Sequence, residues 1–366
     1  MKTVFRSPTL ATLIAINTLL FAVSALAQTQ QPNVDMSIDA ATKNKVIQTL
    51  AQELNAKYVF PELAKTVQKI FVKRQKNGEY DRIVSAQQFA RTLTEQLQQL
   101  THDKHLNVEF SEEQLVRENA NALPNQDEIK KQAEEELQFM RTFNFGIEKV
   151  SRLPGNVGYL ELGGFGPTEL VGHAITAAMT LLNASDALII DLRKNGGGSP
   201  STVALLASYF NPAGTHFTDI YKRKDNTTTQ IWSNAYTAGP RYDSTKKVYV
   251  LTSKRSFSAA EDFAYTMQSL KRSTTIGEVS GGGAHPGEVS RLDEHFLAFI
   301  PFGRSINSIT KTNWEGVGVI PEIKVSAEDA LNVAHETALK HLLEIEKHPG
   351  RKQDIERALQ KLKTAS

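Results

Sequence analysis

The 366-residue sequence contains no cysteine, which excludes disulfide bonds, thiolate metal sites, a cysteine nucleophile and a lipidated N-terminal cysteine. It also lacks a charge excess, because 42 Lys and Arg residues face 40 Asp and Glu residues, a formal net charge of +2. Such a chain has little electrostatic attraction for phosphate backbones, so we expect no nucleic-acid binding. The absence of cysteine suits a compartment in which thiols would be oxidised.

Beyond the N-terminus, the sequence lacks any apolar run long enough to cross a bilayer. The N-terminus itself carries Lys2 and Arg6, an apolar run over residues 10–23 and a small-x-small triplet at residues 25–27. This order predicts a secretory signal peptide over residues 1–27, which is then cleaved. Cleavage removes two positive charges and leaves a neutral chain without a membrane span, so we expect a periplasmic or secreted bacterial protein.

Several familiar motifs are absent as well. Neither G-x-G-x-x-G nor G-x-x-x-x-G-K-[ST] occurs, so nucleotide binding is not indicated. The G-x-S-x-G elbow of the α/β-hydrolases does not occur either. His102 and His105 have the H-x-x-H spacing of metal ligands, but no further cluster of histidines or carboxylates supports it. We therefore expect neither a metal nor a cofactor.

The hydrophobic pattern divides the chain into segments. Residues 36–110 predict a bundle of three amphipathic helices joined by short connections. Residues 111–150 are rich in Glu and Gln and predict a charged insertion or linker, with a surface helix over 126–142 that is either solvated or acts as a lid. Residues 151–348 alternate between strand and helix patterns, which predicts an α/β domain. Residues 349–366 form a basic tail.

Two continuous apolar runs, residues 187–192 and 248–251, are typical of buried parallel strands. The first run leads into residues 191–198 (DLRKNGGG), where three glycines allow backbone N–H groups to approach a ligand closely. Such a loop suits an anion or a developing oxyanion. A tight turn without a ligand is the alternative.

The second run leads into residues 252–261 (TSKRSFSAAE) and then into a helix. Ser258 is predicted near the N-terminus of that helix, where free N–H groups favour negative charge. This arrangement resembles a nucleophile elbow, although serine is also a common helix N-cap. His105 lies at the join between the helical and α/β regions, and its imidazole, with an ordinary pKa of roughly 6.5, could act as a base. A purely structural role for this histidine is the alternative.

Taken together, these stretches resemble the serine peptidase family that contains the tail-specific (C-terminal processing) peptidases, the tricorn core protease and the repeats of interphotoreceptor retinoid-binding protein. The resemblance covers residues 37–345 and, since no PDZ domain is inserted, is closest to the retinoid-binding-protein-like branch. It implies a crotonase-like α/β domain, a superhelix of ββα units, behind the N-terminal three-helix bundle. The motifs that carry it are residues 58–61 (YVFP), 103–106 (DKHL), 191–198, 257–261 (FSAAE), 277–278 (GE) and 313–319 (NWEGVGV), with Pro321.

The family uses two catalytic layouts. Tail-specific peptidases pair the serine with a lysine 25 residues later, but that position is Gly283 here, so no Ser–Lys dyad is expected. The tricorn-like layout combines a serine with an upstream histidine and a downstream glutamate. The resemblance therefore implies Ser258 as the nucleophile, His105 as the base and Glu315 as the carboxylate that orients the base.

The residues that support this layout are less well determined by the resemblance. Tricorn has a serine just before its histidine, and that position is Lys104 here, so Asp103 is a second candidate for orienting His105. His285, in a glycine-rich stretch, is a spare candidate for the base, although binding or loop packing suits it better. The expected oxyanion donors are the backbone N–H groups of Ala259 and of Gly197 or Gly198.

The sequence thus predicts a secreted or periplasmic serine peptidase whose partner is a peptide or protein substrate. Two other functions fit the same fold. One is a non-catalytic module that binds hydrophobic ligands, and the other is an esterase or amidase of small substrates. An intact set of Ser258, His105 and Glu315 favours an enzyme. The pattern leaves the oligomeric state open.

Overall fold

The computed structural model describes residues 35–112 and 126–365, so the predicted signal peptide lies outside the described residues. The helices are α1 (Ala40–Lys57), α2 (Pro61–Lys76), α3 (Ala86–Thr101), α4 (Gln126–Thr142), α5 (Thr168–Leu182), α6 (Pro200–Ser208), α7 (Ala259–Ser269), α8 (Ala330–Ile345) and α9 (Pro349–Ala365). The strands are β1 (Asn107–Phe110), β2 (Ile147–Leu153), β3 (Val157–Leu162), β4 (Ala187–Asp191), β5 (His216–Lys222), β6 (Thr227–Trp232), β7 (Lys247–Thr252), β8 (Thr274–Gly277), β9 (Gly287–Arg291), β10 (Phe296–Pro301), β11 (Gly303–Asn307) and β12 (Ile323–Lys324).

The first three helices begin with residues that are typical of helix N-termini. Asp39 accepts a hydrogen bond from the N–H of Thr42 at the start of α1 (2.8 Å). Helix α2 begins with Pro61, which has no N–H to leave unpaired in the first turn. Ser85 accepts a hydrogen bond from the N–H of Gln88 at the start of α3 (2.9 Å). The local sequence therefore determines where each helix starts.

The three helices do not complete a hydrophobic core by themselves. Leu50 of α1 and Phe89 of α3 are buried in one cluster with Phe296 and Ile300 of β10. Strand β1, which follows α3, pairs antiparallel with β10. Residues 102–106, between α3 and β1, are therefore fixed at the junction of the helical and α/β regions.

A six-stranded sheet of order β12-β8-β7-β4-β3-β2 forms the centre of the α/β region. All neighbouring strands run parallel except β2, which is antiparallel to β3. Leu188 and Ile190 of β4 face a core shared with α5, α6 and α7, whereas Ala187 and Ile189 face a core shared with α8 and α9. Both faces of β4 are buried, which explains its continuous apolar sequence. The expected α/β class with an N-terminal helical region is confirmed.

Two charged segments pack more closely than their composition suggests. The predicted surface helix over residues 126–142 is α4, and its Met140 is buried in the main core. The expected basic tail forms α9, whose Ile355 and Ala358 are buried against the core beside α8. Within the described ranges, no helix has the length and apolar character that crossing a bilayer requires.

Strands β4, β7 and β8 are neighbours in the sheet and run parallel, so their carboxyl ends lie side by side. The segments that follow these strands are residues 192–198, 253–258 and 278–286. Clefts for ligands form at such edges of parallel sheets. Each predicted motif of the α/β region except residues 313–319 lies within or next to one of these segments.

Candidate active site

Ser258 lies at the turn between β7 and α7 with φ 55° and ψ −118°. A residue with a side chain rarely adopts this conformation, which costs about 1–3 kcal/mol and is held only where the surroundings impose it. Here the N–H of Ser258 donates to the Glu261 carboxylate (2.9 Å), and the N–H of Phe257 donates to the carbonyl oxygen of Asn195 (3.1 Å). The backbone therefore makes a sharp strand-to-helix turn with the serine at its apex.

The two other serines of this segment hold the loop in place. The hydroxyl of Ser253 donates to the carbonyl oxygen of Arg193 (2.5 Å). The hydroxyl of Ser256 donates to the carbonyl oxygen of Leu192 (2.7 Å). Both bonds join the loop after β7 to the glycine-rich loop after β4. Their hydroxyls are thus engaged in structure, which distinguishes them from a nucleophile.

The glycine-rich loop passes directly against Ser258. A Cβ on Gly197, whose φ is +117°, would lie 2.7 Å from the Cβ of Ser258, so only glycine fits. The N–H of Gly197 donates to the Asn195 side chain (2.9 Å). In the part of the chain that the structure describes, the N–H groups of Gly198 and Ala259 donate to no protein acceptor. Of the three expected oxyanion donors, these two are the ones whose hydrogens are available.

His105 lies in the segment between α3 and β1 and is 9% exposed. Its ring centroid is 4.5 Å from that of Phe257, the residue before Ser258, and 5.7 Å from that of Phe299. The fold therefore brings the candidate base next to the loop that carries Ser258. Burial lowers the pKa of His105 to about 4, despite the opposing charge of Asp103. This is below the ordinary value expected from sequence, and the ring is neutral, the form a base requires, at physiological pH.

Asp103, His285 and Glu315 form a buried cluster beside His105. Asp103 Oδ1 accepts the backbone N–H of His105 (3.1 Å), while Asp103 Oδ2 lies 2.8 Å from His285 Nδ1 and accepts the hydroxyl of Tyr58 (3.2 Å). Glu315 Oε2 lies 3.5 Å from the same His285 nitrogen. Both carboxylates therefore contact the ring of His285, a residue that the sequence offered only as a spare base.

The ring of His105 is left without a carboxylate partner. Among the described residues, buried His105 Nδ1 and buried Glu315 Oε1 have no hydrogen-bond partner. The other oxygen of Glu315 accepts the N–H of Ala284 (2.5 Å). The structure thus brings Glu315 and Asp103 close to His105, but it pairs neither of them with the imidazole.

The charges of this cluster influence one another. Burial and the charge of Asp103 raise the pKa of Glu315 to about 7, and His285 opposes that rise. Burial alone would lower the pKa of His285, but the hydrogen bond and charge of Asp103 and the charge of Glu315 outweigh it and raise this pKa. The electrostatic coupling within the cluster therefore favours the charged form of His285 and the protonated form of Glu315.

Asp103, His285 and Glu315 were also compared with a metal site. Within residues 35–112 and 126–365, they are the group of side chains whose potential metal-ligating atoms lie within 4.8 Å of one another. His102, the other half of the H-x-x-H spacing, is not part of it and instead ends α3 with φ 58°. His285 Nδ1 and Asp103 Oδ2 already lie at hydrogen-bond distance from each other. The arrangement is that of a hydrogen-bonded acid–base cluster.

Glu261 is a residue whose role the sequence analysis missed. It is fully buried and accepts hydrogen bonds from the hydroxyl of Ser280 (2.5 Å) and the N–H groups of Gly282 (2.6 Å), Gly283 (2.8 Å) and Ser258. Burial raises its pKa, and these donors oppose the rise. The S-x-x-E spacing of a capping box was the available signal. Glu261 thus joins the turn at Ser258 to the loop over residues 280–284.

Gly283 lies 25 residues after Ser258, the spacing at which the resemblance implies a lysine in the tail-specific peptidases. A Cβ on this glycine would lie 2.3 Å from Cζ of Phe257 and 2.7 Å from Cε1 of His105. These two rings fill the space that a longer side chain would need. The histidine layout and the lysine layout therefore compete for the same volume in this chain.

Comparison with known proteins places this chain in a family. A family model described as peptidase family S41 matches residues 156–325. A second model, the N-terminal domain of these peptidases in eukaryotic IRBP, matches residues 40–148. The chain belongs to peptidase family S41. As an S41 peptidase it is a serine-type peptidase, and the resemblance inferred from its motifs is confirmed.

Solved structures resemble this S41 peptidase over most of its length. Mature CPAF complexed with lactacystin has a TM-score of 0.53 at 12% identity, covering 89% of this chain and 98% of that chain. A lipoprotein from Streptococcus agalactiae has a TM-score of 0.52 at 13% identity, covering 85% of this chain and 99% of that chain. At such identities the likeness shows the fold.

Proposed function

We propose that this S41 peptidase hydrolyses peptide bonds with Ser258 as nucleophile, His105 as general base and Glu315 as the carboxylate that orients the base. The observation that carries the proposal is the backbone of Ser258, with φ 55° and ψ −118° against the glycine-rich loop. A helix N-cap needs no such conformation, since an ordinary extended backbone suffices for capping. Strain of this kind is characteristic of functional residues.

The proposed reaction uses these groups as follows. Ser258 Oγ attacks the carbonyl carbon of the substrate, and its proton passes to a ring nitrogen of His105. The negative charge that develops on the carbonyl oxygen is received by the N–H groups of Gly198 and Ala259. His105 then protonates the leaving amine, and water, activated by the same imidazole, hydrolyses the acyl-enzyme.

Glu315 takes part through the atoms that lack partners. His105 Nδ1 is a possible donor and Glu315 Oε1 an acceptor, and both are buried and unpaired within the described residues. A rotation of either side chain that pairs them orients the ring and stabilises the imidazolium formed during attack. Catalytic hydrogen bonds are often long in the free enzyme and tighten when substrate binds. Asp103 meanwhile holds the backbone of His105.

We infer further that the chain is exported and acts in the periplasm or outside the cell. The supporting observations are the basic, apolar and small-residue order of residues 1–27 and the absence of cysteine. The substrates that this location offers to a peptidase are peptides and unfolded protein segments.

A fluorophosphonate probe tests the proposal without knowledge of the substrate. We expect the purified mature chain to be labelled at Ser258, as mapped by mass spectrometry, and Ser258→Ala to abolish both labelling and peptide hydrolysis. Ser326→Ala, a serine at the surface near α8, is the control and should label normally. Label on Ser253 or Ser256 would refute the assignment.

Two further outcomes decide between the alternative functions. Label on Ser258 with hydrolysis of esters but not of peptides would indicate an esterase or amidase. A folded chain that takes no label and binds apolar ligands would indicate a binding module.

A further inference from the structure

The imidazole of His285 lies between two buried carboxylates beside the candidate base. Its Nδ1 is 2.8 Å from Asp103 Oδ2 and 3.5 Å from Glu315 Oε2. The side chains of His285 and Asp103 are 6% and 1% exposed, and that of Glu315 is 16% exposed. The reaction scheme above uses Ser258 and Glu315 but gives His285 no part.

We propose that His285 is a positioning residue, whose imidazolium bridges Asp103 and Glu315 and keeps the carboxylate of Glu315 ionised beside His105. The inference rests on the proposed role of Glu315. It assigns His285 neither contact with the substrate nor transfer of a proton to it. Its effect on the reaction passes through Glu315 alone.

The need for a cation follows from the two neighbouring carboxylates. Two carboxylates that share a buried site cannot both stay ionised without a compensating charge, so one of them takes up a proton. Burial and the charge of Asp103 raise the pKa of Glu315 to about 7 even though His285 opposes the rise. A protonated Glu315 has no carboxylate charge with which to stabilise the imidazolium of His105.

The surroundings of His285 bear on its charge as well. Burial and the charge of Arg304 lower the pKa of His285. The hydrogen bond and charge of Asp103, together with the charge of Glu315, raise it by more, so the net effect is a raised pKa. The edge of its ring packs against Phe60, with centroids 5.3 Å apart. The titratable or charged groups that act on His285 or Glu315 are Asp103, Arg304, His105, Tyr58 and Glu261. Of these, Arg304 is cationic, and it is exposed.

His285→Asn is the variant that tests this role, because the asparagine amide retains a donor near the position of Nδ1 but carries no charge. The acid limb of kcat/KM reports the ionisation of Glu315, so activity falls as the pH drops through its pKa. Loss of a neighbouring cation raises a carboxyl pKa by about one to three units. We therefore expect the limb to move to higher pH by roughly one unit or more, with KM little changed and activity largely recovered in alkaline buffer.

The matched control is His335→Gln. Counted over the whole residue, His335 and His285 are each 5% exposed, and His335 Nε2 lies 2.8 Å from the carbonyl oxygen of Pro154 on the opposite face of the central sheet. We expect this variant to lose stability without any displacement of the pH profile. A His285→Asn profile that coincides with that of the wild type, in a folded protein, would overturn the proposal.

A measurement on the wild type keeps the test independent of the variant's folding. The ring ¹⁵N chemical shifts of His285 should show an imidazolium at pH 7, whereas a neutral ring at that pH would overturn the proposal. Fluorophosphonate labelling of the same sample separates the two hypotheses. Without label at Ser258, the proposed function fails. With label and an unshifted profile in His285→Asn, only the role of His285 fails.

Discussion

Replacing Gly283 by alanine tests how strictly the position of His105 controls catalysis. The new Cβ would lie 2.3 Å from Cζ of Phe257 and 2.7 Å from Cε1 of His105. Carbon atoms in contact prefer separations of about 3.5–4.0 Å, so the two rings must move by about 1 Å. A displacement of that size at a catalytic group costs about a hundredfold in rate. Overpacking costs about 1–3 kcal/mol in the free energy of unfolding.

The assay is the kcat for a fluorogenic peptide, together with the rate of fluorophosphonate labelling and the thermal unfolding midpoint. We expect Gly283→Ala to stay folded at 25 °C, to lower kcat about a hundredfold and to leave KM little changed. The control is Gly172→Ala in α5, where the Cβ would lie 3.5 Å from Cδ2 of Leu205, an ordinary contact. There alanine should raise the stability by about 0.5–1 kcal/mol without altering kcat. Wild-type kcat in a folded Gly283→Ala variant would refute the reasoning.

Four further expectations concern the base, the carboxylates, a buried acid and export. His105→Ala should lower kcat/KM about a thousandfold or more, since nucleophile and base act as one unit, and near-normal turnover would exclude it as the base. Glu315→Gln should lower kcat on the order of 10²- to 10⁴-fold with KM little changed; if Asp103→Asn is instead the damaging change, Asp103 has the orienting role. Burial raises the pKa of Asp262 in α7 to about 7, above its ordinary value of roughly 3.9, so the contribution of Asp262 to native stability falls as the pH rises from about 4 to about 7. The unfolding temperature of Asp262→Asn should therefore change less than that of the wild type between about pH 4 and pH 7, and an unchanged pH dependence would contradict this. Mature protein from a secreting host should have the mass of a chain that starts at Gln28, whereas an intact leader in the membrane fraction would argue against export.

The fold was predictable where the signal is local. Amphipathic periodicity predicted α1 to α3, and the continuous apolar run of β4 predicted a strand buried on both faces. The capping residue Ser85 and the helix over residues 126–142 also follow from neighbouring residues in the chain. The close packing of α9 was not predicted, because a basic amphipathic segment at the end of a chain shows no sign of the surface it will cover.

The candidate site, like the fold, was predictable only where the signal is local in the sequence. The strand–serine–helix order around Ser258 predicted a sharp turn, and the structure has one. The S-x-x-E spacing indicated that Glu261 could cap the helix after Ser258. Its further hydrogen bonds to the loop over residues 280–284 depend on the tertiary structure. The pKa of His105 departs from its ordinary value because of burial, which no property of residues 101–105 reveals.

By itself, the sequence determined the order of elements, the serine at the turn after β7 and the glycines beside it, because these depend on residues a few positions apart. It also offered Glu315 and Asp103 as alternative partners of His105 and left His285 without a partner. Only the tertiary structure decided that Asp103 faces His285, 182 positions away, and that Glu315 joins them. Contacts of that range depend on how β1, β10 and the loop after β8 pack together. Burial at that junction, rather than residue identity, sets the charges that the proposed chemistry uses.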